Sequence, residues 1–101
     1  MVKGHLELLL LGVLRRGPQH GYAIITDLRE GSHGDFDLPE GTVSPALHKL
    51  ERTGMVASDW STVDGRKRRV YQLTPAGRAA LAERRREWRR FVSGVEAVMG
   101  A

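Results

Sequence analysis

The chain contains no cysteine, and this absence excludes disulfide bonds, thiolate zinc sites and cysteine nucleophiles together. A membrane-spanning run is also missing, because the leucine-rich residues 6–14 are too short to cross a bilayer and Glu7 interrupts them. No small-residue cleavage pattern follows them, so they do not resemble a signal peptide. We therefore expect a cytoplasmic protein without a membrane partner. The length of 101 residues suits one small domain with at most an extension.

Patterns typical of catalysis and of metal binding are absent as well. The four histidines, His5, His20, His33 and His48, have no close metal-ligand spacing. The acidic loop at residues 35–40 has no nucleophile and base beside it, and no phosphate-binding or dinucleotide-binding glycine motif occurs. We therefore predict no enzymatic activity, no metal site and no cofactor.

The charge is distributed unevenly along the chain. Sixteen Lys and Arg against twelve Asp and Glu give a net charge of +4. Residues 1–65 hold six basic and nine acidic side chains, whereas residues 66–101 hold ten and three. This asymmetry predicts an anionic partner for the second part, and nucleic acid is favoured over membrane because no long apolar span accompanies the charge.

A charged hairpin lies at the boundary between these two parts. Asp64 and Gly65 predict a two-residue turn between extended segments at residues 55–61 and 67–73, because glycine tolerates the positive φ that such turns need. Four consecutive cations, residues 66–69, follow the turn directly. A hairpin that holds cations away from the core can neutralise phosphates and release their counterions. The alternative is a solvated hairpin that only keeps the protein soluble.

Two helices are predicted before residue 31. Apolar residues recur at helical spacing over about residues 2–15, and Gly17-Pro18 ends that helix. A second amphipathic helix spans about residues 21–30, with Gly31 expected as its left-handed cap. A polar loop follows, with Leu38 as its predicted anchor to the core.

The third predicted helix, about residues 41–53, has a polar face opposite its apolar one. Pro45 is expected in its first turn, where amides lack intrahelical acceptors. A face rich in hydrogen-bonding groups rather than in charge alone suits the reading of base edges in a major groove. The alternative is an ordinary exposed helical face. The residues of this face are Thr42, Ser44, His48, Lys49 and Arg52.

The last helix, about residues 75–98, begins at a strong signal, with Thr74 as its hydroxyl N-cap before Pro75. It carries an apolar seam at heptad and half-heptad spacing that predicts a short packing between subunits. Packing against the chain's own first helix is an alternative of comparable weight, and both can hold. The residues predicted at this interface are Leu81, Trp88, Phe91, Val92, Val95 and Met99.

The two tryptophans are interpreted differently. Trp60 is expected in the core of the hairpin, alongside Val56. Trp88, on the seam, is expected to anchor the interface, and the alternative is that it stacks on a flat aromatic effector.

The predicted fold class is mainly α with a small β-hairpin: a winged helix-turn-helix at residues 1–73, followed by a dimerisation helix at residues 74–101. In this arrangement the third helix meets the major groove and the hairpin is a wing beside it. The alternative is a winged-helix module that binds RNA or a protein without recognising specific duplex DNA.

The sequence also resembles the PadR-like transcriptional regulators over nearly its whole length. Each fragment that carries the resemblance is weak, but the series in this order is specific. The fragments are His20-Gly21-Tyr22, Gly41-Thr42, Pro45-Ala46-Leu47-His48-Lys49-Leu50-Glu51, Gly54-Met55-Val56, Trp60, Arg68-Arg69-Val70-Tyr71 and Leu73-Thr74-Pro75-Ala76-Gly77.

The resemblance implies a homodimeric winged-helix repressor of the short subtype that binds double-stranded DNA at an imperfect palindromic operator, with a planar aromatic small molecule as effector in some relatives. Ser44 departs from the family, which usually has tyrosine before the recognition-helix proline. Arg69 is expected to serve structure instead of DNA. The predicted DNA contacts are Tyr22, Thr42, Ser44, His48, Lys49, Arg66, Lys67 and Arg68.

Overall fold

The computed structural model describes residues 2–100, and it describes side chains from His5 onward. The described chain contains four α-helices and three strands, with one 3-10 turn, Leu14–Arg16, after the first helix. No helix in this described part is both long and apolar enough to cross a membrane. In chain order the elements are α1 (Val2–Val13), β1 (Gln19–His20), α2 (Gly21–Gly31), α3 (Glu40–Arg52), β2 (Val56–Val63), β3 (Arg66–Leu73) and α4 (Pro75–Met99).

One hydrophobic core joins the first three helices to the base of the sheet and to the start of α4. Its members come from every helix because each contributes one apolar face, as helical periodicity dictates. Leu38 packs against this core from the loop after α2, as predicted. The buried core residues are Leu10, Leu11, Leu14, Ile24, Leu28, Val43, Leu47, Leu50, Val56, Tyr71, Leu73 and Leu81.

Two details of the helices differ from the sequence predictions. Gly31 is still helical, and the left-handed residues after α2 are His33 at φ 55° and Gly34 at φ 91°. The amide of Gly34 donates to the carbonyl of Arg29 at 2.7 Å and so closes the helix end. Pro45 lies in the second turn of α3 rather than the first, because α3 begins at Glu40. The carbonyl of Gly41 therefore lacks the usual helical N–H partner.

The sheet is antiparallel and has the order β1-β3-β2. The hairpin of β2 and β3 closes through Asp64 and Gly65, whose φ values of 53° and 74° are those of the predicted two-residue turn. Strand β1 was not expected, because two residues carry no detectable alternation. Gln19 pairs with Tyr71 and His20 with Val70, so β1 ties the start of α2 to the hairpin.

The start of α4 is fixed against the turn between α3 and β2. Thr74 caps the helix as predicted, its hydroxyl accepting from the amide of Gly77 at 3.0 Å, and it also donates to the carbonyl of Gly54 at 2.5 Å. A side chain at Gly77 would overlap the carbonyl of Met55, so only glycine allows this close approach. The direction in which α4 leaves the body depends on this contact.

Trp60 was predicted in the core, and the structure contradicts this. Its side chain is 55% exposed, whereas Val56 on the same strand is buried. The reason is the length of the hairpin: the helical body covers only its base, and the buried residues Val56, Tyr71 and Leu73 all lie there. Four residues beyond Val56, the strand has left the body.

Candidate nucleic-acid interface

The solvent-facing side of α3 carries most of the predicted groove contacts. Thr42 and His48 are exposed, and Ser44 is half-buried. Pro45 has no N–H, so the carbonyl of Gly41 remains an acceptor near this surface. A depression of about 500 Å³ runs along this side of the helix and is lined by Glu40, Gly41, Ser44, Pro45, His48 and Arg52.

Lys49 lies apart from this depression, although it was predicted with the groove residues. Its Nζ is 3.4 Å from Oε2 of Glu7 on α1, and Oε1 of Glu7 accepts a hydrogen bond of 2.5 Å from Arg84 on α4. Burial raises the pKa of Glu7, but the bonds and charges of Arg84 and Lys49 outweigh it and hold that pKa below its ordinary value. Glu7 therefore stays ionised and links three helices.

The wing presents its cations on two faces. Successive side chains of a strand point to opposite faces, so Arg66 and Arg68 of β3 point one way, and Lys67 and Arg69 point the other way. Arg68 lies over the ring of Tyr22 with its Cζ 5.4 Å from the centroid. Tyr22 is 66% exposed, so its ring lies outside the core.

Arg69 differs from the other three cations of the wing because it is bound within the chain. Its Nε donates to Ser58 Oγ at 2.9 Å, and its Nη2 lies 3.7 Å from Oε2 of Glu51. Ser58 in turn donates to Glu51 at 2.6 Å. These contacts join the wing to α3 and agree with the structural role predicted for Arg69.

The three wing cations predicted to contact DNA have no such acidic partners. Among the residues that the structure describes, no ion pair involves Arg66, Lys67 or Arg68. Arg66 and Lys67 are exposed, and Arg68 is half-buried beside Tyr22. Positive charge that no carboxylate neutralises is available to a phosphate.

The second half of α4 leaves apolar side chains uncovered. Phe91 is 61% exposed, Val95 39%, and Met99 69%. Val92 is half-buried. Leu81 differs from these predicted interface residues because it is 8% exposed and packs into the core of its own chain. The seam that a second chain could cover thus begins at Trp88, not at Leu81.

Trp88 is part of an aromatic cluster between α1 and α4. Its ring meets the edge of His5 at a centroid distance of 4.9 Å and stacks on Phe91 at 5.9 Å. A cleft of about 540 Å³ opens beside it, lined by His5, Glu7, Leu8, Lys49, Arg84, Glu87, Trp88 and Phe91. Sequence reasoning missed His5 and Glu7 here, because nothing in the spacing of α1 marks them as neighbours of α3 and α4.

The described part of the chain contains no cluster of side chains that could bind a metal ion. Within residues 2–100, no three His, Asp or Glu side chains lie close enough to hold an ion. The arrangement offers hydrogen-bonding groups on α3, unpaired cations on the wing and an apolar stripe on α4.

Comparison with known proteins gives consistent matches. The model of the transcriptional regulator PadR-like family matches residues 10–83. A transcriptional regulator of Mycobacterium tuberculosis is 49% identical over 67 residues, which make up 66% of this chain and 60% of the length of that relative.

Solved structures agree with this match. The crystal structure of a PadR family transcription regulator from Clostridium difficile has a TM-score of 0.86 and 29% identity, covering 96% of this chain and 100% of that one. The structure of Bacillus subtilis PadR in complex with operator DNA has a TM-score of 0.70 and 25% identity, covering 77% of this chain and 45% of that one.

Proposed function

The chain belongs to the PadR-like family of transcriptional regulators, and from this premise we propose that it acts as a homodimeric repressor on an imperfect palindrome of double-stranded DNA. Helix α3 enters the major groove, with Thr42, Ser44 and His48 toward the base edges. The wing cations Arg66, Lys67 and Arg68 and the hydroxyl of Tyr22 contact the flanking backbone. The operator complex of the Bacillus subtilis relative supports this docking.

The proposal depends on one observation: some cations are paired with carboxylates of the same chain, and others are not. Arg69, Arg84 and Lys49 are paired with carboxylates of their own chain, whereas the three wing cations have no acidic partner in the described chain. Neutralisation of a phosphate needs unpaired cations, because a paired cation must first give up its carboxylate partner. Lys49 is therefore the weakest member of the proposed contact set.

Dimerisation is proposed through α4. The exposed stripe of Trp88, Phe91, Val95 and Met99 supports it, because a second copy of the same stripe would cover these side chains. Residues 1–73 then act as the DNA-binding unit and residues 74–101 as the dimerisation helix. Leu81 belongs to the core, so this boundary divides functions and not independently folded units.

Repression follows from occupancy. Two recognition helices about one helical turn apart cover the palindrome and block access of the polymerase. We propose a planar aromatic effector beside Trp88, favoured by the stacked ring of Phe91 and the open cleft there. Such a molecule would release the DNA by binding preferentially to a dimer whose helix spacing mismatches the two half-sites. It can shift the protein toward that dimer only by its difference in affinity between the mismatched dimer and the DNA-binding one. We also propose that the protein acts in the cytoplasm and has no catalytic role.

Competition binding tests the proposal directly. A labelled duplex from the region upstream of the gene is challenged, at one fixed salt concentration, with unlabelled duplex, single strands and RNA of the same sequence. We expect the duplex to compete best and a footprint with two half-sites. Equal competition by RNA, or no binding to any upstream duplex, would reject the assignment. Sedimentation of the free protein measures the dimer, and a monomer at all accessible concentrations would contradict it.

Tryptophan fluorescence tests the effector. Titration of planar aromatic acids into a Trp60→Phe variant, which retains Trp88 alone, is expected to quench the emission. A complete lack of response across such compounds would remove the effector from the proposal and leave the DNA-binding part unchanged.

A further inference from the structure

Trp60 is an exposed ring on the wing with two cations close to it. Lys67 lies with Nζ 5.8 Å from the ring centroid and Arg69 with Cζ at 5.3 Å, yet 55% of the side chain remains exposed. Single exposed apolar residues are common, so exposure alone decides nothing. A ring flanked by two cations is a more specific arrangement, because both partners lie opposite it or diagonally across the hairpin.

The face that carries Trp60 is continuous with α3. Cross-strand pairing puts Trp60 and Arg69 on the same face as Ser58 and Tyr71, which meet the body of the protein. Glu51 of α3 reaches this face and holds Arg69 at 3.7 Å. A surface row therefore runs outward from the recognition helix: first Glu51, then Arg69 and Trp60, and finally Lys67 toward the tip.

A row of this kind suits a ligand that has negative charge and flat apolar surface side by side. The backbone of DNA has both, because each phosphate adjoins a deoxyribose. An indole held in place by two cations contacts a sugar at little entropic cost, since its orientation is already restricted before binding. Lys67, beyond the ring, can then meet the neighbouring phosphate.

We infer that Trp60 is a DNA-contact residue: its ring packs against the deoxyribose–phosphate backbone beside the groove that α3 occupies, with Lys67 on the adjoining phosphate. The inference rests on the proposed function, since it needs α3 in the groove. It assigns the two faces of the wing to different stretches of backbone, Trp60 and Lys67 on one and Arg66 and Arg68 on the other. Such contacts position the protein and do not read sequence.

Two single-tryptophan proteins test the inference. Trp88→Phe leaves Trp60 as the only tryptophan, and Trp60→Phe leaves Trp88. Each is titrated with an upstream duplex while the anisotropy of a labelled duplex reports binding independently. We expect acrylamide quenching of Trp60 to fall at least about twofold in the complex, whereas quenching of Trp88 stays as in the free protein.

Three results of this titration lead to different conclusions. Protection of Trp60 by binding supports the contact. Duplex binding with Trp60 as accessible as before would overturn the inference and leave the proposed function standing. Failure of both variants and of the unaltered protein to bind any upstream duplex would overturn both.

Affinity gives a second measurement. Trp60→Ala is expected to weaken duplex binding about tenfold, by an amount that is similar for specific and unrelated duplexes, because loss of the apolar contact between the ring and the sugar has an effect on this scale. Trp60→Phe keeps a ring and should restore most of the affinity. Ser61→Ala, on the opposite face of β2, is the matched control and should stay within about twofold. Affinity of Trp60→Ala within twofold of the unaltered protein, with its fold verified by thermal unfolding, would reject the contact.

Discussion

The base of the molecule is the part where β2, β3 and α4 pack against the other helices, and its two projecting ends are the tip of the wing and the second half of α4. Base and ends are built from the same elements but differ in the side chains that they expose. Strands β2 and β3 bury Val56 and Leu73 at the base and carry free cations at the tip. Helix α4 buries Leu81 near its start and exposes Phe91 further along. Each element thus has buried side chains at one end and exposed side chains at the other. Substitutions at the base should therefore alter folding, and substitutions at the ends should alter binding.

Removal of the wing cations should give the largest effect on binding with the smallest effect on folding. In an Arg66→Ala, Lys67→Ala, Arg68→Ala triple variant, the slope of log affinity against log salt is expected to fall by about 0.9 for each phosphate that is no longer neutralised. At about 0.1 M salt this is close to tenfold in affinity per phosphate. Duplex titrations at four or more salt concentrations measure the slope.

The control for the wing variant removes equal charge elsewhere. Arg85→Ala, Arg89→Ala and Arg90→Ala together also lower the net charge by three, but these residues lie on α4. Their effect on the slope should be small. An unchanged slope in the wing variant, or an equal drop in the α4 variant, would show that overall charge and not the wing meets the DNA.

A methyl group at Gly77 should give the largest effect on folding. Gly77→Ala would place Cβ against the carbonyl of Met55, and the backbone between α3 and β2 cannot move aside as a flexible side chain could. We expect the free energy of unfolding to fall by about 2–3 kcal/mol, measured by urea denaturation. Gly94→Ala, in the projecting half of the same helix, meets no neighbour and should stabilise by about 0.5–1 kcal/mol. Equal effects at both positions would remove the distinction between base and end.

The base was largely predictable from the sequence. Helical spacing located all four helices, and the cap at Thr74 and the turn at Asp64-Gly65 agree with their local signals. These features depend on neighbours in sequence, so a pattern can reveal them. Gly77 stands out in the sequence only within a family fragment, because its role depends on a carbonyl 22 residues earlier in the chain.

The candidate site was predictable in residue type but not in arrangement. Counting charge could not tell that Lys49 and Arg84 share Glu7, whereas Arg66, Lys67 and Arg68 form no ion pair in the described chain. Trp60 was misplaced because a strand pattern gives the face of a residue but not where the body of the protein ends. Both failures concern contacts between elements, which only the assembled structure defines.

Phe91→Ala tests whether the projecting half of α4 is an interface. The substitution removes an exposed ring from each subunit, and because both copies are altered, the dissociation constant of the dimer should rise at least about tenfold. Sedimentation equilibrium over a range of concentrations measures this constant. Tyr22→Ala, which removes a similarly exposed ring outside α4, should leave association unchanged. Identical association of Phe91→Ala and the unaltered protein would mean that this ring is not covered by a second chain.

The smallest effect, on the free energy of unfolding, is expected from a substitution of Glu7, which lies where the base meets α4. Glu7→Gln leaves Arg84 and Lys49 without their carboxylate, at a cost of about 1 kcal/mol or less, because both pairs are partly exposed. The folded pKa of Glu7 lies below 4.5, so the contribution is complete above that pH and disappears as the pH falls through the folded pKa. The difference in unfolding free energy between the two proteins should therefore shrink in acid. Glu83→Gln, which breaks only the local pair with Arg86 on the exposed side of α4, should matter less. A difference at Glu7 that stays constant from pH 7 to acid would show that the side chain acts by its shape and not by its charge.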